Sequence, residues 1–198
     1  YAAADLAARA SDAGVCGLLI GDSLGRGASP SAHVTAIRAA APRLPVVQFP
    51  GSADDLTPEV DAVLFLVLVS GRNPRYLIEE QVRATSFFRT HPSVVAVSTA
   101  YLLVDGGRES TVQRVSGTEP LPAHDAELVA SHVAAGQLMG MHATYVEAGS
   151  GAIRRVSDRV IRAARGATSG PLIVGGGIDD PRAALDARQA GADYVVVL

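Results

Sequence analysis

Seven short runs of apolar, strand-favouring residues recur along the chain, separated by longer stretches with helical spacing. They are VCGLLIG (15–21), PVVQF (45–49), AVLFLVLV (62–69), VAVSTAYLLV (95–104), HATYVE (142–147), PLIVGG (171–176) and DYVVVL (193–198). Several are apolar at every position instead of every second one. This pattern suits parallel strands covered by helices on both faces, because neither side of such a strand meets water.

The intervening segments carry helix-end signals. Asn73 followed by Pro74 offers a cap and then a first helical residue that lacks an N–H, and Pro92 closes that segment. The stretch AHDAELVASHVAAGQLMG runs to a stop at Gly140, and DDPRAALDARQAGAD starts with a cap at Asp179 or Asp180 ahead of Pro181. Strand and helix alternate without reversal, which leaves an open doubly wound sheet or a (β/α)8 barrel. The opening YAAADLAARASDAGV reads as a helix feeding the first run, so one more strand is expected before Tyr1, and a closing loop and helix after Leu198. Eight strands favour the barrel. The expectation is a single α/β domain over residues 1–198, a (β/α)8 TIM barrel with its first strand missing from this chain and both ends cut.

Composition narrows the function classes. With 198 residues and 48% hydrophobic content the chain can bury one good core but is short for two ordinary domains. A net charge of -3 gives no global reason to bind nucleic acid or an anionic membrane. The longest apolar run, 62–69, is too short to span a bilayer, and no signal-peptide pattern opens the chain. A soluble, cytoplasmic protein is expected. All 17 basic residues are arginine, Cys16 reads as a lone core cysteine, and the five histidines lack zinc spacing.

In a barrel, ligands gather where the strands end. Those ends carry GDSLGRG, SGRNP, EAGSG and VGGGI. Glycine lets backbone amides approach an anion, and two such turns on neighbouring strands could hold one phosphate from both sides. Either turn alone is equally explained by the need of a strand-to-helix turn for glycine; the pair favours function. Tyr145 and Glu147, two residues apart on a strand, project to one face. A buried glutamate needs a partner, and the hydroxyls of a polyol would supply one while the carboxylate served as general base. Asn73 and the Asp179 region read most simply as helix caps; Arg72 reads equally as a diphosphate contact or a loop residue.

The motifs YVEAGSGA, PLIVGGGI, AGAD and SGRNPRYLIEEQV together resemble the geranylgeranylglyceryl phosphate synthase family, which includes the PcrB-type heptaprenylglyceryl phosphate synthases. The resemblance covers nearly the whole chain. It implies a magnesium-dependent barrel prenyltransferase of ether-lipid biosynthesis, joining a polyprenyl diphosphate to the 3-hydroxyl of sn-glycerol 1-phosphate. It also implies a homo-oligomer, dimer or larger, with at most peripheral membrane contact. Carried over by position, Tyr145, Val146, Glu147, Ala148, Gly149, Ser150 and Gly151 would bind glycerol phosphate, with Glu147 and Tyr145 catalytic. Gly176 and Gly177 would hold the phosphate, and Ser23 in IGDSLG would be a magnesium ligand. Three departures stand out: the chain shows no Asp-Pro-Asp-Lys-like strand, Asp22 replaces a family glycine, and Leu198 falls where a glycine is expected. Two alternatives remain at this level, another phosphate-binding barrel acting on a sugar or triose phosphate, and a barrel that binds without catalysis.

Overall fold

The computed structural model describes residues 2–21 and 30–197. Its elements follow one another as α1 (Ala2–Asp12), β1 (Leu18–Ile20), α2 (Pro30–Ala40), β2 (Val46–Gln48), β3 (Ala62–Leu68), α3 (Glu80–Thr90), β4 (Val95–Leu103), α4 (Thr111–Ser116), α5 (Ala126–Leu138), β5 (Ala143–Glu147), α6 (Asp158–Ala167), β6 (Leu172–Gly175), α7 (Pro181–Ala190) and β7 (Tyr194–Val195). Each of the seven apolar runs contains one strand, and the strands stand in the sheet in chain order.

The chain divides into two compact units. The first comprises Tyr1–Phe65 and Glu80–Val97. In it β1 and β2 pair in parallel with Leu18 opposite Val46, and β2 pairs with β3, Val47 opposite Ala62. Val34 and Ile37 of α2 close over Val46 and Val63, all removed from water. Gln48 is buried at the end of β2, where its amide donates to the Asp55 carbonyl and accepts from the Thr57 N–H. Both halves of the amide are thus satisfied, which a buried polar group requires.

The second unit comprises Leu66–Glu79 and Ser98–Leu198. Here β4, β5 and β6 pair in parallel, and β6 pairs with β7. Their side chains alternate between faces. Leu102, Val146, Leu172 and Val174 fill a core that Val129 and Val133 of α5 and Val160 and Ile161 of α6 complete. Asp125 caps α5 by accepting the Leu128 N–H, and Ser157 caps α6. Asp180, not Asp179, caps α7, accepting from the amides of Arg182 and Ala183 directly ahead of Pro181.

Several local expectations change. Cys16 is exposed, because β1 begins only at Leu18 and the residue stays outside the covered strand. Asn73 does cap its segment through the Arg75 N–H, but Arg75–Glu79 wind as a π-helix before α3 continues regularly. The short α4, capped by Ser110 and closed by the left-handed Gly117, carries no periodic signal long enough to be read from the sequence. His124 lies in the turn before α5, while His132 is on that helix.

Leu102 has no exposed surface, whereas Leu138 is 89% exposed. Leu102→Ala is expected to cost about 2–5 kcal/mol in urea unfolding, because a cavity replaces a filled site. Leu138→Ala should change stability by no more than about 0.5 kcal/mol. Equal effects at the two positions would contradict the placement of the core.

Candidate functional site

Register assembles the site. Tyr101 on β4 lies opposite Tyr145 on β5, Leu103 lies opposite Glu147, and Glu147 in turn lies opposite Gly175 on β6. All five residues of β5 are buried. The Tyr101 and Tyr145 rings are 5.6 Å apart and tilted by 60°. From one step back on the neighbouring strand, the Tyr101 hydroxyl donates to Glu147 Oε2 at 2.6 Å. A carboxyl group that burial would leave without solvent thereby gains a donor.

Burial sets the chemistry of these groups. It pushes the Glu147 carboxyl above the usual glutamate value, and the Tyr101 hydrogen bond partly opposes that rise. The Tyr145 phenol is pushed up by burial and by the neighbouring Glu147 charge, and Tyr101 likewise. Both tyrosines therefore stay protonated donors, beside a carboxyl more basic than a surface glutamate. Gly175 makes room for this arrangement: a Cβ there would stand 2.6 Å from the Tyr145 hydroxyl.

Beyond the strand ends, the two glycine turns touch backbone to backbone. Ala148 donates its N–H to the Gly175 carbonyl, and a Cβ on Gly176 would meet the Gly149 carbonyl oxygen at 2.7 Å. Gly149, Gly151, Gly176 and Gly177 all have positive φ, a conformation that glycine adopts without strain. The turn after β4 joins them: the Gly106 carbonyl accepts the amides of Ile153 and Arg154, and a Cβ on Gly106 would collide with the Ala148 carbonyl. The amides of Ser150, Gly151, Gly176 and Gly177 meet no acceptor among the described residues. Successive free amides in left-handed turns form a concave seat for an anion.

The profile of the PcrB family matches residues 4–198. The chain belongs to the PcrB family. A geranylgeranylglyceryl phosphate synthase of Zunongwangia profunda is 43% identical over 154 residues, covering 78% of this chain and 65% of that protein. The chain thus spans just under two thirds of that relative's length. A geranylgeranylglyceryl phosphate synthase of Korarchaeum cryptofilum is 33% identical over 192 residues, 97% of this chain and 78% of the relative. Among solved structures, the (S)-3-O-geranylgeranylglyceryl phosphate synthase of Thermoplasma acidophilum, in complex with its substrate sn-glycerol-1-phosphate, superposes with a TM-score of 0.90. It is 33% identical and covers 99% of this chain and 78% of its own. The fold class is the (β/α)8 barrel that the sequence led us to expect.

Within this PcrB-family chain, Tyr145, Glu147, Ala148, Gly149, Ser150, Gly151, Gly176 and Gly177 come together at the ends of β5 and β6. Val146 points the other way, into the core. Ser23 lies outside the described residues. Arg72 donates to the carbonyls of Val69 and Gly71, so part of its guanidinium is already bound within its own loop. Tyr101 was absent from the residues singled out by sequence. The signal was present, since AYLL and TYVE both carry tyrosine at their second position, but only the strand register reveals that the two residues face each other.

A folded-state carboxyl that titrates above its unfolded counterpart stabilises the fold only while protonated. Its contribution is complete below the ordinary glutamate value of 4.5 and is lost as pH rises through the folded-state value. Glu147→Gln keeps an acceptor for Tyr101 without the buried charge. The variant should therefore melt above the parent protein at pH 8. At pH 4 the gap should close. A variant less stable than the parent at pH 8 would refute this reading of the carboxyl.

Proposed function

We propose that the protein is a prenyltransferase that forms an ether bond between a polyprenyl diphosphate and the 3-hydroxyl of sn-glycerol 1-phosphate. The observation that carries the proposal is the buried, tyrosine-bonded Glu147 next to two interlocked glycine turns with free amides. The activity named for its relatives, and the sn-glycerol-1-phosphate bound by the T. acidophilum protein, support it.

The glycerol phosphate dianion occupies the amides of the glycine turns, which directs its hydroxyls toward Glu147. The allylic C–O bond of the donor breaks, and its electron pair leaves with the diphosphate. A lone pair of the 3-hydroxyl oxygen forms the new C–O bond, and its proton passes to the Glu147 carboxylate. Burial raises the affinity of that carboxylate for the proton, and Tyr101 holds it in one orientation. Glu147 is buried, so little water reaches the carboxyl to compete for the allylic carbon.

Magnesium dependence belongs to the same proposal, since a bound cation would stabilise the departing diphosphate. Among the described residues no three of His, Cys, Asp and Glu converge to hold a metal, and Ser23, the magnesium ligand expected from the sequence, lies outside them. No helix among the described residues is long and apolar enough to cross a membrane.

Full-length protein, incubated with labelled sn-glycerol 1-phosphate, magnesium and prenyl diphosphates of several lengths, should yield ether product and pyrophosphate. Glu147→Ala should lower turnover by about 10²–10⁴-fold, the range for loss of a general base. Absence of ether product with every donor would refute the proposal. Binding of glycerol phosphate without any dependence on prenyl donor would point instead to another phosphate-handling barrel.

A further inference from the structure

We propose that Arg108 is the cationic arm of the anion seat and sets its preference for a dianionic phosphate. The inference rests on the reading of the glycine turns as the glycerol phosphate site.

Among the described residues three arginines stand around those turns, and two have partners. Arg154 donates to Asp105 at 3.1 Å, and its guanidinium lies flat against Gly107, 3.3 Å from where a Cβ would be. Asp105 is itself fixed, because it also accepts the Gly107 N–H. Arg155 is bonded to Asp158 at 2.7 Å and to the Val156 carbonyl. Arg108 is exposed and has neither an ion pair nor a hydrogen bond among the described residues. Its Nη1 lies 3.6 Å, and its guanidinium carbon 3.9 Å, from the position a Cβ would take on Gly151. The unpaired charge therefore overlies the turn whose amides are unfilled.

The geometry of the loop holds it there. Arg108 follows Gly107, whose φ of +84° turns the chain immediately after Asp105 has locked to Arg154. Gly151 offers no side chain, so the guanidinium can lie along the turn. Neutral amides alone would accept a carboxylate, a sulfate or a phosphate with little distinction. A guanidinium fork adds a full charge in the geometry that suits phosphate oxygens, and it favours the ligand of higher charge. With no lysine in the sequence, arginine is the side chain that can bring a permanent positive charge to the phosphate. Because Arg108 is exposed, salt weakens its contribution.

Calorimetric titration of the full-length protein in chloride buffer, with inorganic phosphate and then with sn-glycerol 1-phosphate, tests the assignment. Arg108→Gln should weaken both ligands about tenfold, the order of one charge-assisted contact. Arg108→Lys should recover part of the loss, and Arg162→Gln on the exposed side of α6 should bind as the parent does, which controls for net charge. In turnover, Arg108→Gln should raise KM for glycerol phosphate about tenfold while kcat and KM for the prenyl donor stay within about twofold. Unchanged phosphate binding by Arg108→Gln, or no binding of either anion by the parent protein, would overturn the proposal. If the parent binds phosphate through Arg108 yet makes no ether product, the prenyltransfer reading fails and the role of Arg108 stands.

Discussion

Burying a carboxyl group at the end of a strand imposes a demand that the surrounding structure has to meet. Glu147 is placed on β5, a strand covered on both faces, and its desolvation must be offset by a donor. Tyr101 supplies it from β4, and can do so only because the parallel register sets Tyr101 opposite Tyr145, one side-chain step behind Glu147. A slip of one residue would turn Tyr101 to the other face and leave the carboxyl with nothing. The register of β4 on β5 is therefore as much a part of the site as the residues themselves.

The same economy of space governs the turns. Gly175 gives way to the Tyr145 hydroxyl, Gly176 to the Gly149 backbone and Gly106 to the Ala148 carbonyl. The strand-to-helix turns after β4, β5 and β6 can approach this closely because a glycine stands on one side of each contact. What results is a cluster of outward-facing amides next to a basic carboxyl. Local backbone conformation thus bears on electrostatics: Gly151, Gly176 and Gly177, whose positive φ shapes the turns, also carry amides that meet no acceptor among the described residues.

Much of this was legible in the amino-acid sequence, for definite reasons. Runs apolar at every position mark strands covered on both sides, and all seven contain a strand. Tyr145, Glu147 and the glycines stood out because polar or side-chain-free residues in such runs are conspicuous. Tyr101 did not, since nothing local distinguishes it from a core tyrosine and its role exists only through pairing with β5. Arg108 is one exposed arginine among many until the turn of Gly107 places it over Gly151. The π-helical turn at Arg75–Glu79 and the six-residue α4 are too short to impose a period on the sequence, and Cys16 sits two residues ahead of a strand that starts later than its apolar run.

Glu147 is a carboxyl made basic by burial and restrained by Tyr101. Direct titration of Glu147, followed by the carboxyl signal of isotope-labelled protein with Glu147→Gln as the assignment blank, tests this most simply. The midpoint should lie above the ordinary glutamate value in the parent protein. In Tyr101→Phe the midpoint should lie higher still, since the lost hydrogen bond is the influence that lowers it. A midpoint in the ordinary range, unmoved by Tyr101→Phe, would contradict the account.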